Sequence, residues 1–353
     1  MKYVHLLLLI VTSFVISFLL FRTGVILPWL FGSMAATFLY IRFVTRDFYF
    51  PKWLGNVGVF VIGFEIGTQF TPETVQEMAG HAVSIIVMTL CVIILSLILS
   101  VFFMKLTGCT VETAVLSSIP GALSQMILMA EENKRADILL VTITQMSRIV
   151  LVIILVPIIA RFFQSDTVSV IDDSAPLLTE SFITPMILIP VAAVVIMYIL
   201  KRLKFPVPFM LGPIIAVIIW NLSTGYDFSM NIEFMFAAQI LFGIRMGVQL
   251  SSLLNQLNGR MIISMLVQNI LLIIGTLLLV GLFQIFMDVE FNDLFLSAAP
   301  GGIGQLIVVA VEIGADVAMI SSYHIFRIFF IILIVTPLIN YILKRRRQKQ
   351  NET

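Results

Sequence analysis

The chain of 353 residues is 60% hydrophobic and only 12% charged, with a mean hydropathy of +1.09, too apolar for a domain with a water-facing surface. It reads as an all-α integral membrane protein, with the lipid bilayer as its surroundings and no nucleic acid as partner. Two cysteines and three scattered histidines make neither a disulfide framework nor a metal cluster, so no metal, no cofactor and no catalytic residue is expected, and an enzyme is not the expected class.

Twelve apolar blocks follow one another, at roughly 4–21, 28–44, 53–69, 82–104, 111–131 and 137–160, then 183–200, 207–221, 233–250, 262–286, 292–311 and 317–343. The first has a single leading Lys2 and no small-residue cleavage site before Arg22, which predicts a retained span rather than a signal peptide. The second six repeat the first. Pro28-Trp-Leu-Phe-Gly32 returns as Pro208-Phe-Met-Leu-Gly212, Gly63-Phe-Glu-Ile-Gly67 as Gly243-Ile-Arg-Met-Gly247, and Pro120-Gly121 with Gln125 as Pro300-Gly301 with Gln305. Each pair is 180 positions apart, as Gly63 and Gly243 are, so the chain is a duplicated hydrophobic unit. The predicted organisation is a first membrane repeat over 1–163, an acidic extracytoplasmic linker over 164–181, a second repeat over 182–343 and a basic cytoplasmic tail over 344–353.

The charges predict how the copies are oriented. The loop after the second block carries Arg42, Arg46 and Lys52 in the first copy but Asp227 in the second, whereas the loop before that block carries Arg22 in the first copy and Lys201, Arg202 and Lys204 in the second. Matching loops of opposite character require inverted copies under the positive-inside rule, hence an odd number of crossings in each. The fifth block, interrupted by Pro120-Gly121 and by Pro300-Gly301-Gly302, is the one predicted not to cross. Each repeat is then about five transmembrane helices plus one re-entrant hairpin. The tail Lys344-Arg-Arg-Arg347 falls inside with the N terminus, in a cell membrane, and the linker with Asp166, Asp172, Asp173 and Glu180 falls outside.

Charged groups at bilayer depth are functional candidates by default. Glu65 and Arg245 occupy equivalent places between glycines and are expected to meet as a gate or ion pair; the plainer alternative is a staple between two closely packed helices. Arg148 and Arg327 correspond with an offset of 179, each with a polar partner three residues earlier, Gln145 and His324. They are candidates for binding a solute, with the alternative that they only bind carbonyls of the broken blocks. Where a helix restarts after a break, unpaired N–H groups and a positive dipole end attract anions. That makes Ser118, Gly121, Ser124, Gln125, Gly301, Gly302 and Gln305 the remaining candidate substrate-binding residues. Asp137 and Asp316 stand where they would cap the following helix.

The signatures Ser118-Ile-Pro-Gly-Ala-Leu-Ser-Gln125 with Asp137 and Arg148, and Ala299-Pro-Gly-Gly-Ile-Gly-Gln305 with Asp316 and His324-Ile-Phe-Arg327, resemble the AbrB-type duplicated membrane protein family, over the whole chain. Members of that family carry the labels AbrB family regulator and ammonia monooxygenase. Three separated histidines do not make a copper site, and a short basic tail is not a DNA-binding module, so a link to gene expression would be indirect. The function expected is a secondary transporter that moves a small, anionic solute by alternating access around the two hairpins, with H⁺ or Na⁺ as coupling ion. A membrane ligand sensor without transport is the alternative, and the sequence leaves room for a homodimer.

Overall fold

Helices account for the regular structure of the computed structural model, which describes residues 2–25, 27–45, 48, 50–71, 74, 80–133, 135–163, 180–203, 205, 207–225, 228, 230–256 and 259–342, and no strand occurs among them. Most of the acidic linker, the basic tail, Arg46, Lys204, Asp227 and the side chain of Ser124 lie outside the described residues. The first copy gives α1 (Lys2–Arg22), α2 (Pro28–Phe43), α3 (Lys52–Thr68), α4 (Ala82–Thr107), α5 (Val111–Ser118), α6 (Leu123–Glu132) and α7 (Ile138–Phe162). The second gives α8 (Glu180–Arg202), α9 (Pro208–Thr224), α10 (Ile232–Gln256), α11 (Gly259–Gln284), α12 (Phe291–Ala298), α13 (Ile303–Ile313) and α14 (Val317–Phe330), which runs on through a π-helical turn at Ile331–Val335. The order of lengths repeats, with two short helices fifth and sixth in each copy.

Six described stretches are long and apolar enough to cross a bilayer: Val4–Arg22, Ala82–Thr107, Ile138–Phe162, Ile232–Ser252, Met261–Gln284 and Val317–Ile342. Their outward faces are apolar, with Leu7, Ile98 and Leu278 all more than 60% exposed, which suits lipid and not water. The protein is membrane-embedded on this evidence. Helices α2, α3 and α9, at 16, 17 and 17 residues, reach about 24–26 Å, a little short of the ~30 Å hydrocarbon core.

Local chemistry sets the element ends. Pro28 and Pro208 open α2 and α9, where a fixed φ and a missing N–H cost nothing. The residues before them, Leu27 and Val207, are held in the left-handed region at φ 53° and 44°, a strained choice for side-chain-bearing residues that both copies make at the same place. The Glu312 carboxylate accepts the Leu27 N–H at 3.3 Å. Thr110 caps α5, and Asp137 caps α7 by accepting the Leu140 N–H at 3.0 Å, the role expected of it.

The predicted interruption is where the sequence places it. Helix α5 stops at Ser118, Gly121 takes φ 99°, which an L side chain resists, and α6 begins at Leu123. At the far ends of these two helices, Thr110 Oγ1 donates to Arg135 O at 2.9 Å and Asp137 N–H donates to Thr113 Oγ1 at 2.9 Å. Residues 110 and 135 are therefore neighbours, and the chain doubles back through the break.

The helices sort into two compact units that do not follow the repeat boundary. One holds α1–α3, α8–α10 and the end of α13; the other holds α4–α7, α11, α12, the start of α13 and most of α14. Within the first unit the packing is reciprocal between copies. A Cβ on Gly63 of α3 would lie 2.7 Å from Met210 O of α9, and one on Gly243 of α10 would lie 2.5 Å from Leu30 O of α2; residues 30 and 210, like 63 and 243, are equivalents. These glycines thus allow backbone-to-backbone approach of α3 on α9 and of α10 on α2. In the second unit, Gly275 of α11 packs against Leu95 of α4, its own equivalent.

Candidate functional site around the two helix breaks

An eight-residue helix leaves its last carbonyls without intrahelical partners, and at these buried positions they need other donors. In the second unit these oxygens are taken by side chains of the following long helix. Arg148 of α7 donates from Nη2 to Ser117 O at 2.7 Å and from Nη1 to Ile119 O at 3.1 Å, while Gln145 Nε2 donates to Leu116 O at 2.8 Å and Ile119 O at 2.9 Å. The second copy repeats this with His324 and Arg327 of α14. His324 Nε2 meets Leu296 O at 2.9 Å, and Arg327 donates to Ala298 O at 3.1 Å and Ala299 O at 2.9 Å. Leu116 and Leu296 are equivalent, as are Ile119 and Ala299, so one capping scheme is built twice.

The two arginines are 2% exposed each, and their hydrogen-bond partners are neutral. Arg148 Nε reaches Asn269 Oδ1 at 3.2 Å and Nη1 reaches Gln145 Oε1 at 3.3 Å. Arg327 Nη2 hydrogen-bonds His324 Nδ1, and since Nη2 can only donate, Nδ1 accepts and Nε2 carries the proton given to Leu296 O. His324 is thereby a neutral imidazole doing the work that Gln145 does in the first copy. Burying a guanidinium costs several kcal/mol unless its donors are met, and here the negative ends of α5 and α12 meet them.

One donor is left over. Arg327 Nε is buried with no hydrogen-bond partner, and it lies 3.7 Å from the place a Cβ on Gly121 would take. The arginine that caps the second break therefore faces the first. Ile331, in the π-helical turn, stands 3.6 Å from the same point, and a Cβ on Gly301 would come 2.8 Å from Val152 of α7. Each break is packed against the long helix of the other copy. The hydroxyls of Ser117 and Ser297, again equivalents, are also buried without partners.

The other predicted residues take varied places. Ser118 Oγ donates to Ala114 O at 2.8 Å and accepts from Gln268 Nε2 at 3.0 Å, so it is a connector rather than an open ligand. Gln125 is half-buried on α6, and Gln305 is buried and folds over Gly302. Glu65 and Arg245 are in the first unit and are not brought together. Arg245 lies over Gly55 and donates to Asn56 Oδ1 at 3.4 Å, whereas Glu65 is ten residues further along α3, about 15 Å away, and lines a cavity.

Two residues of the site escape a reading by repeats, Gln268 and Asn269 of α11. Asn269 holds Arg148 and donates to Ser147 Oγ at 3.0 Å, while Gln268 holds Ser118. Their equivalents are Met88 and Thr89, so the duplication does not flag them; an adjacent amide pair inside a 24-residue apolar span is the signal that does. No group of three or more His, Cys, Asp or Glu side chains suited to a metal occurs among the described residues.

The chain is similar to the uncharacterized protein YhjN of Bacillus subtilis (strain 168), with 24% identity over 352 residues that cover 91% of this chain and 88% of the relative. The family described as transition state regulatory protein AbrB matches residues 29–343, a stretch that takes in both breaks, both capping arginines and the whole of the duplicated unit after α1. The chain belongs to the AbrB family.

Proposed function

We propose that the protein is a secondary transporter with two inverted repeats, each contributing a re-entrant hairpin, and that it moves a small anionic solute by alternating access around the two breaks. The observation that carries this reading is the pair of arginines, 2% exposed and surrounded by neutral partners, at two adjoining breaks. The carbonyl ends of α5 and α12 offset part of the charge, but the N-terminal ends of α6 and α13 add positive potential of the same order. The centre is left electropositive, with Arg327 Nε and the Ser117 and Ser297 hydroxyls as unused polar groups. A small anion would complete them.

Inversion draws support from the reciprocal contacts. When residue 30 meets 243 and residue 63 meets 210, each copy gives the other what it receives, as in an isologous pair related by a two-fold axis. The opposite charges of matching loops support an axis lying in the membrane plane. H⁺ or Na⁺ is the coupling ion in this reading, no cofactor or enzymatic step is invoked, and assembly beyond one chain is not required.

The test is a thermal-shift screen of small carboxylates, phosphates and sulfonates against matched amines on purified protein, followed by uptake of the best ligand into proteoliposomes. Ligand binding to the folded state raises apparent stability, so anions should shift the transition saturably and then be taken up under an imposed gradient. Stabilisation by none of the anions would sink the reading. The second reading, a membrane ligand sensor acting indirectly on gene expression, takes its support from the regulatory description of the family. Binding without flux under any gradient would select it.

A further inference from the structure

The first unit contains a cavity of about 260 Å³ that the reading above does not use, bordered by Glu65, Gln69, Met230, Met235, Val311 and Gly314 among others. Its chemistry is the reverse of the helix breaks. Glu65 and Gln69 are four residues apart at the end of α3, so the carboxylate and the amide share one face. Gln69 Nε2 is committed to Thr68 Oγ1 at 3.2 Å, which leaves the amide oxygen as the free end. Among the described residues no donor is bonded to the Glu65 carboxylate, and Arg245, its expected partner, is committed to Asn56.

A second feature has the same sign. Helix α13, eleven residues long, ends at the cavity: Gly314 takes φ 70°, its N–H returns to Val311 O at 3.4 Å, and Ala315 N–H returns to Ala310 O at 2.9 Å. The negative dipole end of that helix therefore borders the same space as Glu65, since Val311, Gly314 and Ala315 all line it. The rest of the wall is Met230, Ile232, Met235 and Val317, apolar and, at the two methionines, adaptable in shape.

We propose that this cavity binds a small organic cation of the primary alkylammonium class, with its ammonium on Glu65 and Gln69 and its alkyl part against the methionines. An ammonium has three N–H donors and no acceptor, which matches a carboxylate, an amide oxygen and last-turn carbonyls. A divalent metal is served poorly by one carboxylate, and a bare monovalent ion would leave the two methionines without an apolar partner. The site stands apart from the anion reading and survives or fails without it.

The experiment titrates n-butylammonium chloride into the purified full-length protein, with n-butanol and sodium chloride at matched concentrations as controls, and reads both heat and thermal stability. Saturable binding of butylammonium at millimolar concentration, with neither control reproducing it, is expected. Glu65→Gln should weaken it by about tenfold or more while keeping the shape of the side chain. Ala315→Leu, which leaves the charge but fills the cavity, should weaken it as well. No binding to the wild-type protein, an equal response to butanol or sodium chloride, or an unchanged affinity in Glu65→Gln would each overturn the proposal.

Discussion

Arg148 and Arg327 meet the plainer of the two roles that the sequence offers them, binding carbonyls of the broken blocks. Position and polarity mark both, but their hydrogen bonds make each a C-cap for a helix of eight residues before it is anything else. Arg148→Ala should accordingly lower stability by about 3 kcal/mol or more, because it strips buried carbonyls of their donors. Arg245→Ala, which removes one bond to Asn56 at a half-buried site, should cost far less. Detergent-solubilised melting curves compare the two, and equal losses would contradict the capping argument. His324 gives a sharper case. Its imidazole does in the second copy what the Gln145 amide does in the first, so His324→Gln should fold and melt as the wild type does, whereas His324→Leu should not. If His324→Gln unfolds, the ring has a task beyond holding Leu296 O.

At the scale of elements, helix lengths, the break positions and the caps follow from local chemistry and are readable from the chain: proline at the first turn, Thr110 and Asp137 at N-caps, Pro-Gly at each interruption. Which helix meets which is not local. Gly63 and Gly243 were legible as close-approach glycines, but their partners, Met210 and Leu30, come from the other copy. Ala at either position pushes a Cβ into a backbone oxygen and should cost about 1–3 kcal/mol. Gly281→Ala, with nothing within 4 Å, should instead stabilise α11 by about 0.5–1 kcal/mol. The Val207 φ of 44° supplies a further element-scale test. It is 42% exposed, so Val207→Gly relieves left-handed strain with little loss of burial and should be neutral to stabilising, by at most ~1 kcal/mol.

For the whole molecule, the orientation of the copies is the question that decides the transport reading. Cys109 stands just before α5, and its equivalent, Val289, just before α12; both are half-buried. Burial raises the Cys109 thiol above its usual range, and the hydrogen bond from the Thr107 side chain, which favours the thiolate, only partly offsets this. The neutral thiol therefore prevails at neutral pH, and maleimide labelling should accelerate as the pH rises towards and past the ordinary cysteine range. In a background lacking Cys91, a membrane-impermeant maleimide at alkaline pH should label Cys109 from one face and Val289→Cys from the other. Labelling of both from the same face would mean parallel copies and would remove the central anion site.

Composition, the offset of 180 positions and the interrupted fifth blocks were enough to establish a membrane-embedded, duplicated helical chain, because hydrophobic length and backbone restriction are properties of neighbours in sequence. The pairing of α2 with α10 and of α3 with α9, the separation of Glu65 from Arg245, and the recruitment of Gln268 and Asn269 were decided only by the tertiary structure. Those contacts join residues more than a hundred positions apart, and which polar group meets which is set by how whole helices pack, a quantity that no window of the chain contains.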